Sequence, residues 1–106
     1  MRTLLRVSMQ TDTANAAVKD GSLPKVMRSA LEELKPEAAY FCTQDGRRTA
    51  FIVFDLQNAS DMPSIAEPFF MALNASVDFS PCMNADDLRT GLDKAAATRE
   101  KAPVLN

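Results

Sequence analysis

Residues 47–54, RRTAFIVF, decide how the chain folds. The last four of these residues are all apolar, and Asp45-Gly46 just upstream is the strongest hairpin signal in the sequence. A strand that alternates apolar and polar residues covers one core face, whereas this strand carries apolar side chains on both faces. The stretch therefore predicts the return strand of a hairpin, from about Thr49 to Leu56, with two faces that need cover.

Three more strands and two long helices are predicted around this hairpin. Each long helix has a proline in its first turn and an apolar stripe over six positions, and the two stripes are 39 residues apart. A shorter helical piece at 11–21 and a short C-terminal helix capped by Asn84 complete the pattern. The predicted strands are 3–10, 38–43, 49–56 and 75–80, and the long helices cover 22–35 and 61–73.

The order strand, helix, strand, strand, helix, strand is that of an α+β, ferredoxin-like split βαβ fold (βαββαβ). It predicts an antiparallel sheet in the order 4-1-3-2 with both helices on one face. Pro68 lies inside the second long helix and is expected to kink or split it near Glu67. We expect the domain to span 1–94, including the short C-terminal helix, and 95–106 to form a mobile or partner-packed tail.

Composition narrows the function classes. The net charge of −2 over 106 residues does not favour nucleic acid or anionic lipid, and no apolar run approaches the ~20 residues that span a bilayer. The chain has no histidine, so we expect no metal site. Cys42 and Cys82 lack metal-binding spacing and are expected to be small buried hydrophobes, reduced in the cytoplasm.

The sheet face that the helices do not cover is neither cleanly polar nor cleanly apolar. It combines Leu4, Phe51 and Val53 with polar side chains, which is a patch large enough to need cover. The octet at 47–54 partly matches the third strand of RNA-recognition motifs, but it has Thr49 where a base-stacking aromatic is required. We therefore expect no nucleic acid on this face.

The chain resembles the dimeric α/β-barrel proteins, in which two ferredoxin-like sheets pack face to face. It is similar over nearly its whole length to a small bacterial family of uncharacterised function within that superfamily, which also contains muconolactone isomerase and small monooxygenases. Residues 67–81 are distantly similar to the last helix and strand of the isomerase. The stretches that carry the family resemblance are LKPEAAYF, GRRTAFIVFD, SIAEPFF, NASVDFSP and MNADDL. The resemblance implies a homodimer formed through the sheet faces.

Three side chains are candidates for catalysis. Arg6 and Asp78 are predicted to face each other on neighbouring strands of the open face, either to orient a polar ligand or to satisfy each other as an ion pair. Tyr40 can act as a general acid where histidine is missing, or its ring can pack while its hydroxyl stays at the rim.

Three more side chains are candidates for ligand binding. Arg48 follows the hairpin and can clamp a carboxylate or phosphate, or remain solvated. Glu67 precedes the helix-breaking proline and can be aimed into a cleft, although Pro68 can equally serve only to shape the helix. Phe51 is the one stacking platform that the octet provides.

Together with the resemblance, these residues suggest a small-molecule binding protein, or a cofactor-independent enzyme of isomerase or monooxygenase type. Its pocket would lie in the dimeric barrel or between sheet and helices. The alternative is a non-catalytic dimerisation or protein-interaction module. A pocket on which Arg6, Tyr40 and Asp78 converge favours the first, and a barrel filled by its own apolar side chains favours the second.

Overall fold

The computed structural model describes residues 1–101. The elements follow the predicted order, with one single-turn 3-10 helix at Ala59–Asp61 before the third α-helix. The strands are β1 (Arg2–Ser8), β2 (Ala38–Gln44), β3 (Arg47–Asp55) and β4 (Ser76–Pro81). The helices are α1 (Thr11–Asp20), α2 (Ser22–Leu34), α3 (Met62–Leu73) and α4 (Ala85–Lys101).

The four strands form one antiparallel sheet in the order β2-β3-β1-β4, which confirms the predicted topology. At the hairpin between β2 and β3, Asp45 and Gly46 both have positive φ, 55° and 77°. A two-residue primed turn requires this conformation because its twist matches that of the strands. The hairpin fixes the register, in which Phe51 pairs with Tyr40 on one side and with Arg6 on the other.

Helices α1, α2 and α3 cover one face of the sheet and form the hydrophobic core with it. Alternate residues of β1 and β3 point into this core, and α3 contributes Phe69 and Leu73, both without solvent exposure. Of the six positions of the predicted stripe on α3, four are buried, whereas Met62 is partly buried and Phe70 is 41% exposed. The sheet residues of the core include Leu5, Val7, Ala50, Ile52 and Phe54.

Helix α3 runs through Pro68 without a break, so the predicted split of this helix is wrong. Proline removes one amide donor, and that donor would have bonded to the carbonyl of Ser64. Burial of Ile65 and Phe69 on either side of this point holds the two halves of α3 against the sheet. Packing therefore outweighs the loss of one hydrogen bond.

Helix α4 differs most from expectation, because it has 17 residues and reaches Lys101 instead of being short. Asn84 does cap it: its Oδ1 accepts from the Asp87 amide at 2.8 Å, and Asp87 Oδ2 accepts from the Asn84 amide at 3.1 Å. This reciprocal pair is a capping box. The domain boundary predicted at residue 94 falls inside α4, and residues 102–106 of the predicted tail lie outside the described residues.

The protruding α4 makes the molecule long. The radius of gyration is 18.1 Å and the principal extents are 62 × 27 × 23 Å. A compact chain of this length has a radius of gyration of about 13 Å. Over residues 1–101, no helix is long and apolar enough to cross a bilayer.

Candidate functional site

The open face of the sheet, on the side away from α1, α2 and α3, brings four of the six predicted site residues into one row. The register places Tyr40 beside Phe51, Phe51 beside Arg6, and Arg6 beside Asp78, one residue from each strand. Strands lie about 4.8 Å apart, so the row spans about 14 Å from the β2 edge to the β4 edge. That length suits a small organic molecule.

Arg6 is at the centre of this row and is held from two sides. Its Nε donates to Gln44 Oε1 at 2.7 Å, and its Nη1 donates to Asp78 Oδ2 at 3.4 Å. Its Nη2 has no hydrogen-bond partner among the side chains and backbone of residues 1–101. Arg6 is therefore oriented while it keeps N–H donors for a further acceptor.

The ion pair between Arg6 and Asp78 is weak as built. The two side chains are 36% and 67% exposed, and a single contact of 3.4 Å joins them. Exposed pairs of this kind contribute roughly 0–1 kcal/mol to stability, because water screens the charges. The structure thus shows the contact that the ion-pair interpretation predicts, and the ligand-orienting interpretation stays a prediction.

The rows beside the Arg6 row differ in polarity. On one side the register aligns Ala38, Val53, Leu4 and Ser80, and on the other it aligns Cys42, Thr49, Ser8 and Ser76. Leu4, Phe51 and Val53 are each only half-buried within one chain. The face thus offers a mainly apolar strip, a central cation and a strip of small thiol- and hydroxyl-bearing side chains, of which Thr49 is buried. Cys42 is exposed, so the prediction that it is buried is wrong.

Tyr40 terminates the Arg6 row on the edge strand and is 70% exposed. Its ring extends the aromatic surface that Phe51 begins. Its phenol can donate a hydrogen bond to a molecule on this face, since phenol oxygens serve as donor and acceptor. Either use requires that something cover the row and exclude water.

Arg48 and Glu67 do not join this row. Strand alternation places Arg48 on the helix side of β3, where its Nη1 donates to Asn15 Oδ1 at 2.9 Å and so ties β3 to α1. Glu67 is exposed on α3, which packs on the opposite side of the sheet from Arg6. The six candidate site residues therefore lie on two sides of the sheet and do not line one pocket.

Sequence reasoning missed two features. Gln44 orients Arg6, and its place on the open face follows from its even spacing from Tyr40 along β2. The second feature is an apolar cleft of about 290 Å³ between α2 and the β2 edge, which adjoins a wider groove of about 630 Å³. Phe41 lines both and is 55% exposed, because the helices do not reach over the edge strand.

No group of three or more histidine, cysteine or carboxylate side chains that could hold a metal ion occurs in the described part of the chain. No protein-family model matches the sequence, and no curated protein is significantly similar to it. The geometry of the open face is therefore the main guide to function, and the superfamily resemblance stays a prediction.

Proposed function

We propose that the protein is a homodimeric small-molecule binding protein whose ligand lies between two open sheet faces. The observation that carries this proposal is the Arg6 guanidinium, oriented by Gln44 and Asp78 within a partly apolar face and still holding unused donors. Such a group recognises a carboxylate or a similar anion. Phe51 and Tyr40 would contact an apolar or planar body attached to that anion.

A second copy is the natural cover for this face. Leu4, Phe51 and Val53 would otherwise stay partly in water beside the exposed Tyr40, and contiguous apolar patches of this kind mark interaction sites. Enclosure also strengthens the site, because charge interactions gain several-fold when the effective dielectric constant falls. The superfamily resemblance points to the same face-to-face arrangement.

If the protein converts its ligand, the row supplies the parts of a cofactor-independent proton transfer. The Asp78 carboxylate would remove a proton next to a carbonyl and return it to another carbon, Arg6 would stabilise the oxygen that gains negative charge, and the Tyr40 phenol would hydrogen-bond the far end of the ligand. The proton leaves and re-enters the same molecule, so the isomerisation has no net change in atoms or electrons. This enzymatic reading depends on the binding proposal and goes one step beyond it.

The binding proposal is tested with a fluorescent apolar anion, 8-anilinonaphthalene-1-sulfonate, and with 2-naphthoate as its competitor. Arg6→Gln removes the cation, and Lys25→Gln on α2 is the control with the same loss of charge. A charge-assisted hydrogen bond contributes about 1.5–3 kcal/mol, so Arg6→Gln should weaken binding by about 10- to 150-fold. The control should stay within about twofold. Equal affinity of the Arg6→Gln variant and the wild type would refute the site.

The alternative, a non-catalytic interaction module, is favoured by a different observation, the exposed apolar side chains of α4. A dimer that binds neither probe would support it. We also propose a cytoplasmic location, because Cys42 and Cys82 are both unpaired and Cys42 is exposed. Exposed free thiols persist in a reducing compartment.

A further inference from the structure

Helix α4 presents an apolar stripe that no other element among residues 1–101 covers. Leu88 and Leu92 are one turn apart and are 48% and 61% exposed. Ala95 and Ala96 continue the same side of the helix at the i+7 and i+8 positions. From residue 85 to residue 100, every α4 side chain except that of Ala96 is exposed.

The base of α4 is fixed to the open face of the sheet. Arg2 belongs to that face, and its Nη1 donates to Asp87 Oδ2 at 2.7 Å while its Nε donates to Glu37. These contacts raise the pKa of Arg2 above its ordinary value, mainly through the hydrogen bond to Glu37. With the capping box at Asn84, they hold the first turn of α4 on the side where a second sheet would lie.

A partner for α4 is favoured on energetic grounds. A solitary helix of this length is marginal in water, since helices gain most of their stability from packing an apolar side. Four strands of about seven residues give a sheet face of about 440 Å², so two facing sheets bury only about 900 Å². Stable interfaces bury about 1,200–2,000 Å². Two helices about 25 Å long would add roughly 1,000 Å² and bring the dimer into that range.

The chain also carries a groove that fits such a helix. The wider of the two clefts beside β2 is lined by Leu23, Pro24, Met27, Leu31 and Phe41, together with Arg28 and Glu32. Along α2 these residues extend over about 12 Å, which matches the two turns from Leu88 to Ala96. The helix and the groove are thus both largely apolar, similar in length and uncovered within the part of the chain that the structure describes.

We propose that α4 is an exchanged arm: in the dimer, each α4 packs its Leu88 and Leu92 side into the groove between α2 and β2 of the second copy. This inference rests on the proposed dimer and assigns it a second contact besides the sheet faces. The arm then closes one end of the barrel and links the Arg6 row of one copy to the helix layer of the other.

The test compares full-length variants by light scattering and by analytical ultracentrifugation over a dilution series. Leu88→Glu/Leu92→Glu charges the apolar stripe, whereas Thr90→Glu/Ala97→Glu adds the same charge on the opposite side of α4. Loss of four half-exposed leucine contacts per dimer should weaken dimerisation by on the order of 100-fold or more. The control should stay within about threefold.

A cross-link locates the arm. In a Cys42→Ser/Cys82→Ser background, Leu92→Cys should be joined by a short bismaleimide to Arg28→Cys of another chain, because Arg28 lines the groove on the helix side of β2. The expected product is a covalent dimer that is absent when Arg28→Cys is omitted. A wild-type dimer that both glutamate variants retain equally, without this cross-link, would overturn the exchanged arm and leave the sheet-face site intact. Loss of probe binding with Arg6→Gln is measured separately, so failure of the exchanged arm is distinguished from failure of the sheet-face site.

Discussion

Phe51 and Ile52 are adjacent in RRTAFIVF but point to opposite faces of the sheet, so truncating each should have a different kind of effect. Ile52 has no solvent exposure in the core under the helices. Ile52→Val should therefore lower the free energy of unfolding by about 1 kcal/mol, as buried Ile→Val changes do. Since the core belongs to one chain, this loss should not depend on protein concentration.

Phe51 is on the open face and occurs twice in the proposed dimer. Truncation of an aromatic residue at the centre of an interface costs about 2 kcal/mol, so Phe51→Ala should cost about 4 kcal/mol per dimer. The dimer dissociation constant should rise by about a thousandfold.

The assay is urea unfolding, followed by far-ultraviolet circular dichroism, at about 1 to 100 µM protein. The wild type and Ile52→Val should show midpoints that rise with concentration, whereas the midpoint of Phe51→Ala should be nearly constant because that variant starts as a monomer. A Phe51→Ala midpoint that depends on concentration as strongly as that of the wild type would show that Phe51 does not lie in a dimer interface.

Two further predictions follow from the helix layer. Phe69→Ala should lower the free energy of unfolding by about 3–5 kcal/mol. The matched change one residue away, Phe70→Ala, should lower it by less than about 1 kcal/mol. Similar losses in urea unfolding would contradict the observation that Phe69, and not Phe70, faces the core. The Asp20 carboxylate accepts hydrogen bonds from Ser22, chiefly from its side chain and also from its amide at 2.8 Å, and these lower the pKa of Asp20. Because the folded pKa is the lower one, the stabilisation is complete above about pH 4 and is lost as the pH falls through the folded value. Asp20→Asn should therefore be less stable than the wild type at neutral pH, and the difference should shrink in urea titrations at strongly acidic pH; a constant difference would exclude this linkage.

The sheet could be predicted from the sequence because the turn residues and the apolar pattern of the strands indicate the same fold. The Asp45-Gly46 turn fixes the hairpin, and the apolar pattern of β1 and β3 fixes which side faces the helices. The prediction that Arg6 and Asp78 oppose each other followed from that register and is confirmed by their contact at 3.4 Å. Side chains alternate between the two faces of a strand, so the alignment of one residue pair fixes the face and the partner of every other residue.

The remaining features depend on packing that the sequence does not display. Pro68 predicted a kinked or split helix, yet burial of the residues on either side keeps α3 continuous. Arg48 and Phe51 are close in sequence, but an odd separation along a strand places them on opposite faces. The orientation of α3 about its own axis decides where the Glu67 side chain points. That orientation depends on which of two adjacent phenylalanines enters the core. The length of α4 escaped prediction because its stripe is narrow and Gly91 interrupts it.

The mass of the protein in solution shows whether two chains form a dimer. The ligand proposal and the exchanged arm both require such a dimer, in which two open sheet faces meet. Light scattering coupled to size exclusion, repeated over a dilution series, would measure this mass. The proposed dimer predicts a mass close to twice the 11.6 kDa of the chain, which falls to the monomer value only at high dilution. A mass of 11.6 kDa at every concentration would contradict the account and leave the open face to a different partner.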